Sequence, residues 1–107
     1  MKQMTAAQLR DYLATNEVPT LIDVREAHEL VHGMLEGAIH IPMQTVPAKI
    51  ADFDQNKSKT VVLICRSGKR SDQVGQYLEQ LGFSDVINLV GGMNAWASDI
   101  DTSMTVY

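Results

Sequence analysis

The only cysteine of the chain, Cys65, ends the apolar run Val61-Val62-Leu63-Ile64 and is followed at once by Arg66, Ser67, Gly68, Lys69, Arg70 and Ser71. Three of the nine cations thus sit directly behind the single thiol, in a chain whose formal net charge is -4. The thiolate is the attacking form of cysteine, and positive charge together with oriented backbone N–H groups favours it over the thiol. Gly68 permits a backbone with positive φ, or the close approach of a bound group, as a curled loop requires. The residues from Cys65 to Ser71 can therefore create a nucleophilic sulfur and hold an anion beside it. A buried, inert thiol would account for the cysteine alone. It would not account for the cations, which are costly to bury without anionic partners. A solvated turn would explain any one cation, but not the sharing of one short loop by all three.

Such a site needs a strand that delivers Cys65 and a helix that begins just after the loop. Thr60 to Ile64 is continuous and β-branched, which predicts the strand. Val74, Tyr77, Leu78 and Leu81 recur at i, i+3, i+4 and i+7, which predicts a helix from Ser71 with Gly82 at its C-terminal cap and a six-residue loop before it. Ligands of open α/β sheets bind outside the carboxyl ends of the strands, where this reading puts Cys65. Upstream, Thr5 and Gln8 fit a capping box for a helix over about 6–14, with Leu9, Tyr12 and Leu13 at helical spacing. Thr20 to Val24 reads as a strand buried on both faces, with Asp23 near its end. Glu26 to His32 reads as a short helix with Leu30 and Val31 inward, stopped by Gly33, and Ala38 to Ile41 as a brief strand. Val46 to Phe53 is a further short helix, Val86 to Val90 a last strand, Gly91-Gly92 a turn and Met93 to Ala97 a final helix before a polar tail, 98–107. Strands and helices alternating at these intervals imply an α/β domain with a mainly parallel sheet.

At 107 residues, with 45% hydrophobic and 21% charged residues, the composition is that of one globular domain. No apolar run approaches the roughly 18 residues of a membrane span, and the N-terminus lacks the apolar core of a secretory signal. A lone cysteine suits a reducing compartment, so the expected location is the cytoplasm. The acidic balance argues against nucleic acid. His28, His32 and His40 show no metal-binding spacing with Cys65, and neither metal nor cofactor is expected. Trp96 reads as core packing at the last helix.

Four segments together resemble the single-domain rhodaneses, the thiosulfate sulfurtransferase-like family: LIDVRE (Leu21 to Glu26), HGMLEGAIHIP (His32 to Pro42), CRSGKRS (Cys65 to Ser71) and GGMNAW (Gly91 to Trp96). The resemblance spans almost the whole chain. It implies a three-layer α/β/α fold with a five-stranded, mainly parallel sheet, and a Cys65 that carries sulfane sulfur as a persulfide. Thiosulfate or another persulfide would be the donor, and cyanide or a thiol, such as that of a thioredoxin-like protein, the acceptor. Loop N–H groups from Arg66 to Ser71 would hold the persulfide. Arg66 and Lys69 would bind an anionic donor, with Arg70 turned toward the protein. Asp23 and Arg25 would support the loop, and Met43 and Gln44 would help form its rim. Two rivals follow from related folds. Cysteine phosphatases and arsenate reductases carry arginine six positions after the cysteine, where this chain has Ser71; an inactive module would bind a partner without chemistry.

Overall fold

The computed structural model describes residues 1–15 and 17–107. Its sheet has five strands: β1 (Lys2–Met4), β2 (Thr20–Asp23), β3 (Ile39–His40), β4 (Thr60–Ile64) and β5 (Asp85–Leu89). They run in the order β1-β5-β4-β2-β3, and every pairing is parallel, so the sheet is wholly rather than mainly parallel. β4 lies at the centre between β2 and β5. A central strand of a parallel sheet is covered on both faces, which explains the unbroken apolar run that precedes Cys65.

Side chains alternate across a strand, so β4 divides its residues between two cores. Val61, Leu63 and Cys65 face one core with Val46, Ile50, Val74, Leu78 and Phe83. Val62 and Ile64 face the other with Ala6, Leu9, Met93 and Trp96. The first is covered by α2 (Val46–Lys49), the 3-10 segment Ile50–Asn56 and α3 (Lys69–Gln80), the second by α1 (Ala6–Thr15) and α4 (Gly92–Asp99). Period two thus decides that the thiol belongs to the α3 side. Each fully buried Val, Leu or Ile contributes roughly 1.5–3 kcal/mol, so β4 is held firmly at both faces.

Local signals fix the element ends. The Thr5–Gln8 box forms as expected, with the Thr5 N–H donating to Gln8 Oε1 at 2.9 Å and the Gln8 N–H to Thr5 Oγ1 at 3.2 Å. At the other end of α3, the Phe83 N–H reaches back to Leu78 O at 3.1 Å and the Gly82 N–H to Glu79 O at 3.0 Å, satisfying carbonyls that the helix leaves open.

Two sequence expectations need correction, and one strand was not anticipated from its own residues. α3 begins at Lys69, two residues before Ser71, because Gly68 adopts φ +99° and serves as its N-cap; the loop is therefore Cys65 to Gly68, and Lys69 and Arg70 lie in the helix's first turn. Residues Ala27–His32 form a 3-10 helix whose spacing turns Glu29 inward and leaves Val31 83% exposed, the reverse of an apolar inner face. The three-residue β1, which pairs with β5, carries the polar sequence Lys-Gln-Met and no strand signal of its own.

Candidate active site

Cys65 follows the last residue of β4, and its side chain is only 1% exposed. Burial by itself would suit an inert thiol, but the sulfur's neighbours are polar. The Gly68 N–H donates to Sγ at 3.0 Å, and Ser71 Oγ stands 3.2 Å from it. Both groups belong to the start of α3, whose twelve aligned peptides favour negative charge at this end. The positive φ of Gly68 aims its N–H back at the sulfur, and a Cβ here would lie 3.2 Å from both Leu89 O and Gly91 N.

A side-chain chain continues behind Ser71. Its hydroxyl donates to Asn88 Oδ1, while Asn88 Nδ2 donates to Gly68 O at 3.2 Å and to Gln3 Oε1 at 2.8 Å. Gly68 O can only accept, so the Asn88 amide has one orientation, with its oxygen toward Ser71. Gln3 Nε2 in turn donates to Asp72 at 2.9 Å. β1, β5 and α3 are thereby tied to the loop that surrounds the thiol.

The backbone at the cysteine is clamped from the other side by α4. The Met93 N–H donates to Cys65 O at 2.8 Å and the Asn94 N–H to Arg66 O at 3.1 Å. Gly92 makes this approach possible: at φ +57°, any Cβ would collide with the carbonyls of Cys65 and Arg66.

The three cations behave differently. Arg70 forms a two-pronged pair with Glu29, both N···O distances being 2.8 Å. Hydrogen bonding from Arg70 holds Glu29 down at about 2 against the opposing effect of burial, with the Glu26 N–H and the Tyr107 hydroxyl adding to the lowering. The same hydrogen bond raises Arg70 despite partial burial. Arg66 and Lys69 have exposed side chains. A cation in the first turn of a helix opposes the helix dipole, and only Arg70 is compensated by a carboxylate. Lys69 is thus placed where an anion from outside would relieve it.

The pairing gives a pH dependence. The folded-state value of Glu29 lies below its unfolded value near 4.5, so the stability it contributes is complete above about pH 4.5 and is lost as pH falls toward 2. Thermal melts of wild type and Glu29→Gln should differ most near pH 6 and converge near pH 2. A difference that stays constant over this range would refute the assignment.

Asp23 and Arg25 form an ion pair, both 0% exposed. Arg25 Nε lies 3.0 and 3.1 Å from the two carboxylate oxygens and Nη2 2.7 Å from Oδ2; the Arg25 N–H also donates to Oδ1 at 3.1 Å. The remaining guanidinium protons go to Gly33 O at 2.8 Å, Glu29 O at 3.4 Å and the Tyr107 hydroxyl at 3.1 Å. Burial works to lower Arg25, and the bonds to Asp23 and Tyr107 outweigh it, so it is raised. These hydrogen bonds run to one another and to the 3-10 segment rather than to the sulfur.

Glu29 and Tyr107 are among the participants that carried no signal in the sequence pattern. Glu29 was concealed in a segment read as apolar on its inner face. Tyr107 lies in the polar tail, yet its hydroxyl donates to Glu29 Oε1 at 3.0 Å and its ring packs near Arg66. Met43 packs partly buried against the α3-side core, Gln44 is exposed, and Trp96 is buried in the α1 and α4 core as read. His40 donates through Nε2 to Arg25 O at 2.7 Å, and among the described residues no group of His, Cys, Asp and Glu could hold a metal ion. No helix among the described residues is long and apolar enough to cross a membrane.

Comparison with known proteins gives consistent findings. Residues 5–99 match the rhodanese-like domain. The chain is 42% identical over 99 residues to the protein named "Putative sulfurtransferase YtwF" of Bacillus subtilis, covering 92% of this chain and 93% of the relative. It is 37% identical over 97 residues to a sulfurtransferase of Allochromatium vinosum, covering 91% and 89%. The crystal structure of a rhodanese-like domain protein from Staphylococcus aureus superposes with a TM-score of 0.83 at 34% identity, covering 100% of this chain and 99% of that one.

Proposed function

The chain belongs to the rhodanese-like domain family, and on that premise we propose that it is a sulfurtransferase that carries sulfane sulfur as a persulfide on Cys65. The observation that carries this reading is the Gly68 N–H donating to Cys65 Sγ at 3.0 Å from the N-terminus of α3. A preorganised donor at a helix N-terminus stabilises charge on sulfur both before attack and after it.

With thiosulfate as donor, the Cys65 thiolate attacks the outer sulfur. A new sulfur–sulfur bond forms, the bond to the sulfonate sulfur breaks, and sulfite leaves with the electron pair. The outer sulfur of the Cys65 persulfide is then attacked by cyanide or a thiolate, which departs as thiocyanate or a new persulfide and regenerates the Cys65 thiolate. Two half-reactions separated by a covalent intermediate give ping-pong kinetics. Residues Arg66 to Ser71 cradle the intermediate, Arg66 and Lys69 attract the anionic donor, and Asp23 and Arg25 brace the segment beside it.

The same residues argue against a phosphatase. An oxyanion clamp needs a free guanidinium at the helix start. Position 71 is a buried serine whose hydroxyl is held by Asn88, and Arg70 is engaged by Glu29.

The direct test is to incubate the protein with thiosulfate, measure its intact mass, and then add cyanide. A gain of one sulfur atom that cyanide removes as thiocyanate is expected. An unchanged mass together with hydrolysis of an aryl phosphate would overturn the reading. Lys69→Ala is expected to raise the thiosulfate KM about two- to fivefold, the worth of an exposed ion pair, with a smaller effect on kcat. Equal KM values in variant and wild type would remove Lys69 from the donor site.

A further inference from the structure

The geometry points to Tyr107 as a positioning residue that fixes Arg66 at the mouth of the active site for an anionic sulfur donor, an inference that rests on the sulfurtransferase reading. Arg66 adjoins the nucleophile and its side chain is exposed. An exposed arginine is free to sample many rotamers, and binding a donor would cost that freedom. Here the guanidinium carbon lies 5.0 Å from the centre of the Tyr107 ring, within cation–π range. The ring therefore restrains the charge before a donor arrives.

The ring is itself held at each side. Its other contact is His32, stacked at 4.1 Å between centroids with 20° between planes. The hydroxyl donates to Glu29 and accepts from Arg25. The Tyr107 N–H donates to Asn94 Oδ1 at 2.9 Å. Asn94 is also the residue whose own N–H holds Arg66 O. One residue of α4 thus fastens both, holding the backbone of Arg66 through its own N–H and the backbone of the residue that restrains its guanidinium through its side chain. Farther back, the Thr105 N–H donates to His32 O at 3.1 Å, and Met104 packs against Gly33 and the α1-side core. The path of the tail is fixed over several residues, so the position of the ring does not depend on one contact.

Arg70 cannot supply the same service, since Glu29 neutralises it. Lys69 is a flexible point charge, whereas Arg66 is planar and suited to two oxygens of a sulfonate or a similar oxyanion. Tyr107 therefore bears on which donors are taken, through Arg66, without touching the sulfur.

The test measures thiosulfate KM and kcat for wild type, Tyr107→Leu and Tyr107→Phe, each also in an Arg66→Ala background, with thermal melts as a check of folding. Tyr107→Leu is expected to raise KM roughly three- to fivefold with a smaller change in kcat, the scale of an exposed cation–π contact. Tyr107→Phe, which keeps the ring and loses the hydroxyl, should restore most of the loss. In the Arg66→Ala background Tyr107→Leu should add nothing further. An unchanged KM in Tyr107→Leu, or an equal shift with and without Arg66, overturns the inference. A second measurement is independent of turnover: the Arg66 Nε–H proton should show a ring-current shift in wild type and Tyr107→Phe that Tyr107→Leu abolishes. Absence of that shift in wild type overturns the positioning role even if sulfur loading succeeds. Failure of the wild type to gain sulfur from thiosulfate overturns the sulfurtransferase reading, and with it the donor role, whatever the proton shift.

Discussion

Cys65→Ser incubated with thiosulfate is expected to gain no sulfur, and turnover to fall by a factor on the order of 10,000 or more, as for loss of a nucleophile on which all covalent steps depend. The substitution changes one atom. A serine oxygen keeps the size of the side chain and can still accept the Gly68 N–H, so the loop and the start of α3 retain their hydrogen bonds. What is lost is the soft sulfur and, with it, the means of forming a persulfide. Cys65 is the only cysteine, so no second thiol can substitute. Intact mass after thiosulfate, thiocyanate after cyanide, and a thermal melt make the comparison complete. A serine variant that melts like wild type and still takes up cyanide-removable sulfur would place the chemistry elsewhere.

The largest stability effect is expected at the Asp23–Arg25 pair. Both groups are fully buried, and the Arg25 guanidinium binds both carboxylate oxygens. Arg25→Met leaves Asp23 as an uncompensated buried charge, at a cost of about 3–5 kcal/mol. For a chain of this length that is a fall in Tm on the order of 15 °C. Replacing both members by apolar residues removes the orphaned charge, so Asp23→Leu/Arg25→Met should be more stable than Arg25→Met alone. It should remain below wild type, because Gly33 O and the Tyr107 hydroxyl also lose a donor. A single variant as stable as the double one would show that the carboxylate is relieved in another way. Sulfur loading by the double variant, measured well below its Tm, separates support from contact. An unaltered thiosulfate KM fits a brace, and a raised one a group that touches the donor.

The parts legible in the sequence were those that local physics decides. The capping box at Thr5 and Gln8, the β-branched run before Cys65 and the apolar face of α3 each involve residues a few positions apart. The cations beside the thiol drew attention to the loop, but not to where its helix starts, because that depends on Gly68 taking a left-handed conformation. Glu29 was missed because a carboxylate turns inward only when a partner awaits it, and Arg70 is 41 residues away. Asn88 sits in a strand that reads as apolar, and its role depends on Ser71 and Gln3, neither near it in sequence. Tyr107 is the extreme case, joined to Arg25 across 82 positions within a tail of no periodicity. The signals around the thiol were local, and the groups that arrange its surroundings were not.

The pairing of β1 with β5 also constrains the order in which the sheet can close. Lys2–Met4 are synthesised before their partners, Asp85–Leu89, which follow about eighty residues later. β4 likewise must insert between β2, already present, and β5, still to come. Contacts so distant in sequence close slowly, and the early strands must wait without their neighbours. Gln3 reaches Asn88 only when that closure has occurred. A nascent chain therefore exposes its cysteine before the run of hydrogen bonds from Gln3 through Asn88 to Ser71 exists, and the completed site is a property of the closed sheet.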